Sequence, residues 1–550
     1  MVKRNREESE DAGSNKRLRC HPRDRLSALS DELLLVLLSY LPVHDLTRCE
    51  QLSSRLRTLA SDSQIWKSAY YDRFVRPRAA RIPGIREANA SNRSLLYSSK
   101  LSKWLEDGPL VKRGGATNWK RQYKLRHNWS RGSCKRTETE IAKRPPIPPL
   151  LVRLHDGIII TADSISGLRA WSTRGGESRI ASMIWDTCSH SSAAPSALAI
   201  DTSSTGADDL RISVGFLDGS FGLYILDRRK RSLKCQYLHA PSTNGSIGAI
   251  AFAFPYLLTM TEAQLLSLYR FRIIDDELSD PGNLDPPRLL SSLKSHTAWP
   301  PLSLAIKCSP TGVSTSIAYA MPVYTAGWSV GLQELRLTTE GTILESRLAT
   351  PFSQGFRPLG ASENRAGPSS MNGSPQTADA ASVRFTSPSA KPTSLSYTHP
   401  YLLTAYSDNT MTLYMVTSNA RELFIGPGKP LCGHTSSVLG AHVGDRGKAV
   451  SVSAGGNDLR VWELEAGLSS SSSRRRAVWT EASVMVRPET ADEQQDFISR
   501  QKDQNPTISN LTAQEELVTS KGWLSFDEEQ VVMLGEKSQG SQALVVYNFA

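Results

Sequence analysis

The sequence predicts an α+β multidomain protein in which a small helical domain is followed by a basic linker and a large all-β domain. Three observations lead to this prediction. A leucine-rich stretch from Leu26 to Cys49 has the three- and four-residue spacing of helices, residues 76–145 are rich in Lys and Arg, and short β-type segments recur seven times further on. A chain of 550 residues has room for roughly two to four domains.

The composition is that of an ordinary globular protein, with 39% hydrophobic and 22% charged residues. The leucine-rich stretch is interrupted by Ser39 and Pro42. It is therefore shorter than the ~20 apolar residues that a membrane-spanning helix needs. It also begins too late for a signal peptide and has no small-residue cleavage site. We therefore expect no membrane partner.

Cysteine usage favours a reducing compartment. The seven cysteines are scattered, and none are spaced as C-x-x-C. This pattern predicts free thiols and argues against zinc fingers or a disulfide framework. The cysteines are Cys20, Cys49, Cys134, Cys188, Cys235, Cys308 and Cys432.

The net charge of +11 is unevenly distributed. Residues 67–144 contain 20 Lys and Arg against 6 Asp and Glu, so the excess of positive charge belongs to the N-terminal quarter. The large C-terminal remainder is slightly acidic. This distribution does not support a uniform nucleic-acid-binding surface.

Residues 1–25 contain two basic clusters, Lys3-Arg4 and Lys16-Arg17-Leu18-Arg19, separated by an acidic spacer. Their separation is similar to that of a bipartite nuclear import signal. A solvated disordered tail explains the same residues equally well, since no apolar residue here could bury the segment. We expect the protein in the nucleus, the cytoplasm or both.

The leucine-rich stretch predicts a helix that starts after Ser30, a capping residue, and ends at Pro42. Asp31 and Glu32 would place negative charge at its positive end. Two further amphipathic stretches follow, the second of them in "SQIWKSAYYDRF". The helix presents two apolar faces, one with Leu33, Leu37 and Leu41 and the other with Leu34, Leu35 and Leu38.

A helix that is apolar nearly all round has to be buried on more than one side. The domain from 26 to 75 is only about fifty residues long, and three short helices cannot cover both leucine faces. Either the C-terminal domain covers the second face, so that the helices form a cap, or another polypeptide does.

The segment "LSALSDELLLVLLSYLPVHDLTRCEQLSSRLRTLASDSQIWKSAY" resembles an F-box. It departs from the family pattern at Ser30, where proline is usual, and at Leu56, where tryptophan is common. The resemblance implies a small three-helix F-box that binds the adaptor subunit of a cullin-RING ubiquitin ligase. Carried over by position, the adaptor-binding residues would be Leu29, Leu33, Leu37, Leu41 and Pro42.

The basic linker, 76–145, interleaves aromatic and basic residues. Trp119, Tyr123 and Trp129 could in principle stack on the bases of a nucleic acid. We favour instead a structural joint in which they pack linker helices against the next domain, and we do not expect nucleic acid as a partner. The stretch "NWKRQYKLRHNWSRG" is similar to this joint in F-box/WD-repeat proteins.

Residues 146–550 contain seven pairs of short β-type segments joined by tight turns. Tyr224 and Tyr269, which close two of them, are 45 residues apart, the length of one propeller blade. We expect disordered insertions at about 360–393 and 466–515, which are rich in Ser and other polar residues. The closing positions are Trp171, Tyr224, Tyr269, Gln333, Tyr414, Trp462 and Tyr547.

The segment "CGHTSSVLGAHVGDRGKAVSVSAGGNDLRVWEL" resembles a WD repeat, with His434 and Trp462 at the characteristic positions. The resemblance implies a seven-bladed WD-repeat-like β-propeller. Asp218 and Asp408 occupy the family's turn position, where aspartate tightens the turn and bonds the blade histidine. In the repeat with His434 that position is Gly456, so we expect no blade to hold the complete hydrogen-bonded set.

Closure of a ring would protect the edges of its sheets. Because the last repeat ends at the C-terminus, we expect its outer strand to come from residues 134–142.

We find no catalytic motif and expect no cofactor, no metal and no enzymatic activity. The resemblances imply a substrate-recognition subunit of an SCF-type E3 ubiquitin ligase, whose propeller binds an unknown protein substrate. The alternative is a WD-repeat scaffold protein without a role in ubiquitin transfer, in which the helices act as a cap or as an adaptor contact. Relatives that bind phosphopeptides often carry Arg where this chain has Leu439, which argues against phosphate recognition by that repeat.

Overall fold

The computed structural model describes two units, a helical unit and a propeller. The first comprises 1–77 with 114–123, and the second the remainder. The predicted tail 1–25 and most of the predicted insertions lie outside the described residues. The described residues are 26, 29–76, 117–173, 179–185, 193–202, 209–272, 284–295, 299–309, 312–323, 327–351, 390–419, 422–444, 447–456, 458–464, 483–488, 518–537 and 540–550.

The described part of the helical unit begins with four short α-helices, followed by a π-helical turn, Tyr71–Val75. Two of them, Val43–Cys49 and Ser54–Ala60, occupy the region predicted as one helical stretch. The division arises at Ser53, whose side-chain oxygen accepts a hydrogen bond from the backbone N–H of Leu56 and so starts a new helix. The helices are α1 (Asp31–Ser39), α2 (Val43–Cys49), α3 (Ser54–Ala60) and α4 (Ser63–Tyr70).

A fifth helix, α5 (Trp119–Arg131), completes the core of this unit. Its Trp119 and Tyr123 are buried against Trp66 and Tyr70 of α4. The centroids of the Trp66 and Tyr123 rings lie 5.4 Å apart in an edge-to-face arrangement. The expectation that Trp119 and Tyr123 pack against the next domain is therefore wrong: they complete the aromatic core of the helical unit.

The propeller consists of seven sheets, antiparallel apart from one short parallel pairing in the last of them, which confirms the predicted fold class. Each of the first six blades runs outward from its inner strand in chain order. The first three blades are β2 (Leu151–His155), β3 (Ile158–Asp163), β4 (Gly167–Ser172) and β5 (Arg179–Met183); β6 (Pro195–Ile200), β7 (Asp209–Phe216), β8 (Phe221–Asp227) and β9 (Ser232–His239); and β10 (Ile247–Ala253), β11 (Tyr256–Thr261), β12 (Leu265–Arg270) and β13 (Arg288–Lys294).

Of the next three blades, the fourth has the longest strands and the fifth has an additional short strand. They are β14 (Trp299–Ser309), β15 (Gly312–Val323), β16 (Gly327–Leu337) and β17 (Ile343–Ala349); β18 (Ser394–Thr398), β19 (Tyr401–Ala405), β20 (Met411–Ser418), β21 (Leu423–Ile425) and β22 (Lys429–Leu431); and β23 (Val438–Val443), β24 (Lys448–Ser453), β25 (Leu459–Glu463) and β26 (Ser483–Met485).

The seventh blade combines strands from distant parts of the chain. Its sheet order is β27-β1-β30-β29-β28. The strands are β1 (Ser133–Ala142), β27 (Arg487–Pro488), β28 (Val518–Phe526), β29 (Gln530–Glu536) and β30 (Gln542–Asn548).

The ring closes where β1 pairs antiparallel with β30. The register runs from Lys135 opposite Asn548 to Ala142 opposite Gln542. This confirms the prediction that residues 134–142 supply the outer strand of the last blade, and it means that the propeller takes part of the segment assigned to the linker.

The second strands of several blades are buried along their whole length, as in β3, β11 and β24. A sheet that packs on neighbours through both faces needs apolar side chains on both. This packing explains why the repeats carry continuous apolar runs, such as "GIII" at the start of β3, in place of a strict alternation of apolar and polar residues.

The prediction of a disordered insertion over 466–515 is wrong for residues 483–488. Strand β26 pairs with β25, and β27 pairs parallel with β1. Val486, between the two strands, is buried in the core shared by the last two blades. The polar residues around "SVMVRP" conceal this short apolar segment in the sequence.

The second half of α5 packs on the propeller. The indole of Trp129 stacks on the ring of Phe549 with 4.0 Å between centroids, and its N–H donates to the carbonyl of Glu528 at 3.0 Å. Trp129 thus confirms the expectation of packing against the next domain. Among the described helices, none is long and apolar enough to span a membrane.

We predict that Trp129→Ala destabilises the last blade by about 3–5 kcal/mol, because it removes a buried aromatic ring from a packed core. Hydrogen exchange followed by mass spectrometry should show faster exchange in β29 and β30. Trp119→Ala is the matched control, since it removes an indole from the same helix but from the core of the helical unit. Equal exchange of β29 and β30 in the two variants would contradict the role given to Trp129.

Candidate functional site

Helix α1 divides its leucines between the core and the solvent. Leu34 and Leu38 are buried, whereas Leu33 and Leu37 are 54% and 49% exposed, and Leu41, just after the end of the helix, is 37% exposed. Val36 and Tyr40 extend the exposed surface. The remaining predicted adaptor-binding residues, Leu29 and Pro42, are half-buried and exposed respectively. We call the surface formed by Leu33, Leu37 and Leu41 the leucine face.

The start of α1 is held by a residue that the sequence analysis missed. The Arg55 guanidinium of α3 donates to the Asp31 carboxylate at 2.8 Å and to the Leu29 carbonyl oxygen at 2.7 Å. Arg55 thereby positions Leu29 and the first turn of the leucine face. The sequence offered no signal for this contact, since Arg55 is one of many exposed arginines and lies 24 residues from Asp31.

Ser30 occupies the predicted N-cap position with an extended backbone, but its side chain accepts no capping hydrogen bond. Instead, the carboxylate of Glu32 accepts hydrogen bonds from its own backbone N–H and from the Ser30 hydroxyl, and these lower the pKa of Glu32. The negative charge still lies in the first turn, where the helix dipole favours it.

A groove of about 340 Å³ lies in the helical unit beside the leucine face. Leu41 and Pro42 line one side, and Ser68, Ala69 and Arg73 line another. The Arg73 guanidinium donates to the Tyr123 hydroxyl at 2.6 Å. The groove is therefore continuous with two of the predicted adaptor-binding residues, and α5 helps to form it.

In the propeller, the sixth blade contains a buried polar network centred on His434. The indole N–H of Trp462 donates to Ser451 Oγ at 2.7 Å, and Ser451 Oγ lies 2.5 Å from His434 Nε2. Nδ1 of His434 lies 3.0 Å from an oxygen of Asp458. Because the Asp458 carboxylate can only accept, Nδ1 carries the proton of the neutral imidazole and donates it to Asp458, and Nε2 then accepts from the Ser451 hydroxyl.

This network corrects the expectation that no blade holds the complete set. Asp458, four residues before Trp462, takes the role that was sought at Gly456, and the Arg460 Nε donates to its other oxygen at 2.8 Å. Desolvation lowers the pKa of His434, the carboxylate of Asp458 opposes this, and Arg460 adds to the lowering. A polar network that is fully satisfied in this way fixes the entry loop to the second and third strands of its blade.

Asp218 and Asp408 lie in the second and fifth blades, apart from His434. Asp218 accepts hydrogen bonds from the backbone N–H and the hydroxyl of Ser220, at 3.0 and 2.6 Å. Asp408 accepts the equivalent bonds from Thr410 at 3.2 and 2.5 Å. Both aspartates therefore tighten their own turns.

The first blade uses a different polar pair at the corresponding place. Arg169 and Asp163 form a buried ion pair at 2.6 Å, and Arg169 also donates to the Ile141 carbonyl at 2.9 Å. The indole of Trp171 donates to Thr161 Oγ1 at 2.9 Å, as Trp462 does to Ser451. Among the residues that the structure describes, no group of His, Cys, Asp and Glu is arranged to hold a metal ion.

Taken together, an N-terminal unit with an exposed leucine face and a seven-bladed WD40-like ring define the architecture of an F-box substrate receptor. The chain belongs to the family described as "F-box protein pof12 beta-propeller", whose profile matches residues 134–550. An F-box-like profile matches residues 27–72. F-box and propeller domains are typically non-catalytic receptor modules, and F-box domains generally bind adaptors of cullin-RING ligases.

No curated protein matches this chain. Among solved structures, the WD40 β-propeller domain of Doa1 is 10% identical, with 75% of this chain and 95% of that chain covered and a TM-score of 0.36. The RRP9 WD40 repeats are 10% identical, with 74% and 100% covered and a TM-score of 0.36. Saccharomyces cerevisiae Sqt1 is 8% identical, with 76% and 99% covered and a TM-score of 0.38.

We predict that the stability of the propeller falls between pH 7.5 and 5.5, and that His434→Gln makes the fall shallower. Because the pKa of His434 is lowered on folding, the unfolded chain binds more protons than the folded chain below about pH 6.5. The stabilisation is therefore complete above that pH and is lost as the pH falls through the lowered pKa.

Urea unfolding monitored by tryptophan fluorescence across this pH range provides the measurement. A remaining slope is expected in the variant, because burial also lowers the pKa of His155 and His239. The exposed His44 of the helical unit provides the control variant, His44→Gln. A slope unchanged by His434→Gln would contradict the neutral imidazole assigned to the network.

Proposed function

We propose that this protein is the substrate-recognition subunit of an SCF-type E3 ubiquitin ligase. The F-box unit binds the adaptor through the leucine face together with Leu29 and Pro42, and the propeller binds the protein to be ubiquitinated. The observation that carries the proposal is the exposure of Leu33 and Leu37 on a helix whose opposite side is buried, together with that of Leu41 just after the helix.

Physical chemistry supports a partner for this face. Burial of a leucine side chain contributes about 1.5–3 kcal/mol relative to leaving it in water. Contiguous apolar patches on soluble proteins mark interaction sites. The neighbouring groove offers additional apolar area at Leu41 and Pro42.

The chain performs no bond-breaking step in this mechanism. By holding the target and the ligase at the same time, it raises the concentration of target lysines near the charged conjugating enzyme. The rate of ubiquitin transfer then depends on both binding events, and loss of either abolishes the function.

We predict that Leu33→Asp and Leu37→Asp each weaken binding to the purified adaptor roughly 10- to 100-fold, and that the double variant shows no measurable binding. The estimate follows from the loss of about 1.5–3 kcal/mol per buried leucine. Isothermal titration calorimetry with the full chain provides the measurement.

Leu344→Asp is the matched control, because Leu344 is also an exposed leucine and lies on the outer strand β17 of the propeller. Thermal unfolding of each variant checks that the helical unit remains folded. Wild-type affinity in the double variant would rule out the leucine face as the adaptor site.

The ligase role requires a second test. Cells that express the Leu33→Asp/Leu37→Asp protein should accumulate the target, which quantitative proteomics would identify as a protein with a longer half-life. Adaptor binding without a change in the half-life of any protein would instead support the alternative of a WD-repeat scaffold.

A further inference from the structure

One end of the propeller carries an exposed aliphatic surface. In each blade, the turn between the second and third strands and the loop leading to the next blade reach the same end of the ring. At this end, four aliphatic side chains from two loops and two turns of the first two blades are exposed. They are Ile147 (91%), Ile165 (74%), Ile184 (58%) and Leu217 (46%), and we call them the aliphatic patch.

Hydrogen bonds and one close approach of the backbone connect the positions of the patch. The Ser164 hydroxyl donates to the Ile147 carbonyl at 3.4 Å, which places Ile147 beside the turn that carries Ile165. Gly167 ends this turn with φ +77°, and a Cβ there would lie 2.9 Å from Ile184 Cα. The Leu217 N–H donates to the Ala194 carbonyl at the end of the loop that starts at Ile184.

The indole of Trp185 joins the two turns of the patch. Its N–H donates to the Asp163 carbonyl at 2.6 Å, just before the turn with Ile165. Its ring packs edge-to-face on Phe216, just before Leu217, with 5.4 Å between centroids. The residue after Ile184 thus contacts residues just before both turns, so the backbone that carries the aliphatic surface is preorganised across two blades.

Two basic side chains lie next to the patch in the chain. Lys143 and Arg144 are exposed on the loop that carries Ile147. Of the carboxylates at the two turns of the patch, Asp163 is buried in its ion pair with Arg169, and Asp218 accepts hydrogen bonds within its own turn. An aliphatic surface with a basic rim is complementary to a ligand that has both aliphatic side chains and carboxylates.

We propose that the aliphatic patch binds an extended, unphosphorylated segment of the target protein in which aliphatic residues are interspersed with Asp and Glu. This proposal rests on the proposed function, since it specifies the class of segment that the receptor recognises. Aliphatic side chains of the segment cover the patch, and its carboxylates lie near Lys143 and Arg144. A second copy of this chain and a phosphopeptide are the competing occupants.

The test is selection of a random 12-residue peptide library, displayed on phage, against the full-length chain. The expected result is enrichment of peptides that contain Leu, Ile or Val together with Asp or Glu. Fluorescence polarisation with the most enriched synthetic peptide should show at least tenfold weaker binding to Ile165→Asp/Ile184→Asp. The same peptide should bind Lys143→Glu/Arg144→Glu at least tenfold more weakly, with loss of its salt dependence.

Two controls make the result specific. Leu344→Asp/Leu348→Asp places the same charges on an exposed aliphatic strand elsewhere in the ring and should retain wild-type affinity. Leu33→Asp/Leu37→Asp should also bind the peptide normally, so failure of the adaptor prediction is distinguishable from failure of this one. Thermal unfolding verifies that the patch variants are folded.

Several results would overturn the proposal. Enrichment of basic peptides, or affinity unaffected by Ile165→Asp/Ile184→Asp, would remove the patch as the binding surface. Tenfold tighter binding of a phosphorylated form of the selected peptide would assign the basic rim to phosphate. Concentration-dependent dimerisation that these substitutions abolish, measured by light scattering, would assign the patch to self-association.

Discussion

The antiparallel pairing of β1 with β30 is the constraint on which the propeller depends. Seven sheets can bury both of their faces only if the last blade also packs against the first, and this blade obtains its outer strand from residues that lie before the first blade, hundreds of positions ahead of the other strands of the last one. Helix α5 also contributes to this closure, because it leads directly into β1. Trp129 at the end of that helix is fixed on Phe549, so the strand is anchored at its start as well as along its length.

Much of the fold could be predicted from the sequence because it rests on periodicity. The seven repeats predicted seven blades. The four-residue spacing of Leu33, Leu37 and Leu41 placed these leucines on a different face from Leu34 and Leu38, which are buried in the structure. Features that depend on tertiary contact could not be predicted. Asp458 lies two residues beyond the position expected for its role, and only the distance to His434 identifies it.

The aromatic residues of α5 are a second example of a feature that depends on tertiary contact. Trp119, Tyr123 and Trp129 look alike in sequence, at intervals of four and six residues in a basic helix. The structure places the first two in the core of the helical unit and the third in that of the propeller. Their spacing predicts that they are buried, but the identity of the surrounding core depends on residues such as Tyr70 and Phe549 that are distant in the chain.

The six residues 483–488 belong to two blades at once. Ser483–Met485 hydrogen-bond to β25, while Arg487 and Pro488 lie against β1, and the N–H of Arg487 donates to the carbonyl of Gly132 at 2.7 Å. This short segment is hydrogen-bonded to a neighbouring sheet on each side. Main-chain hydrogen bonds therefore join the sixth and seventh blades, so separating these two blades would require breaking backbone pairings in addition to the apolar contact between their faces.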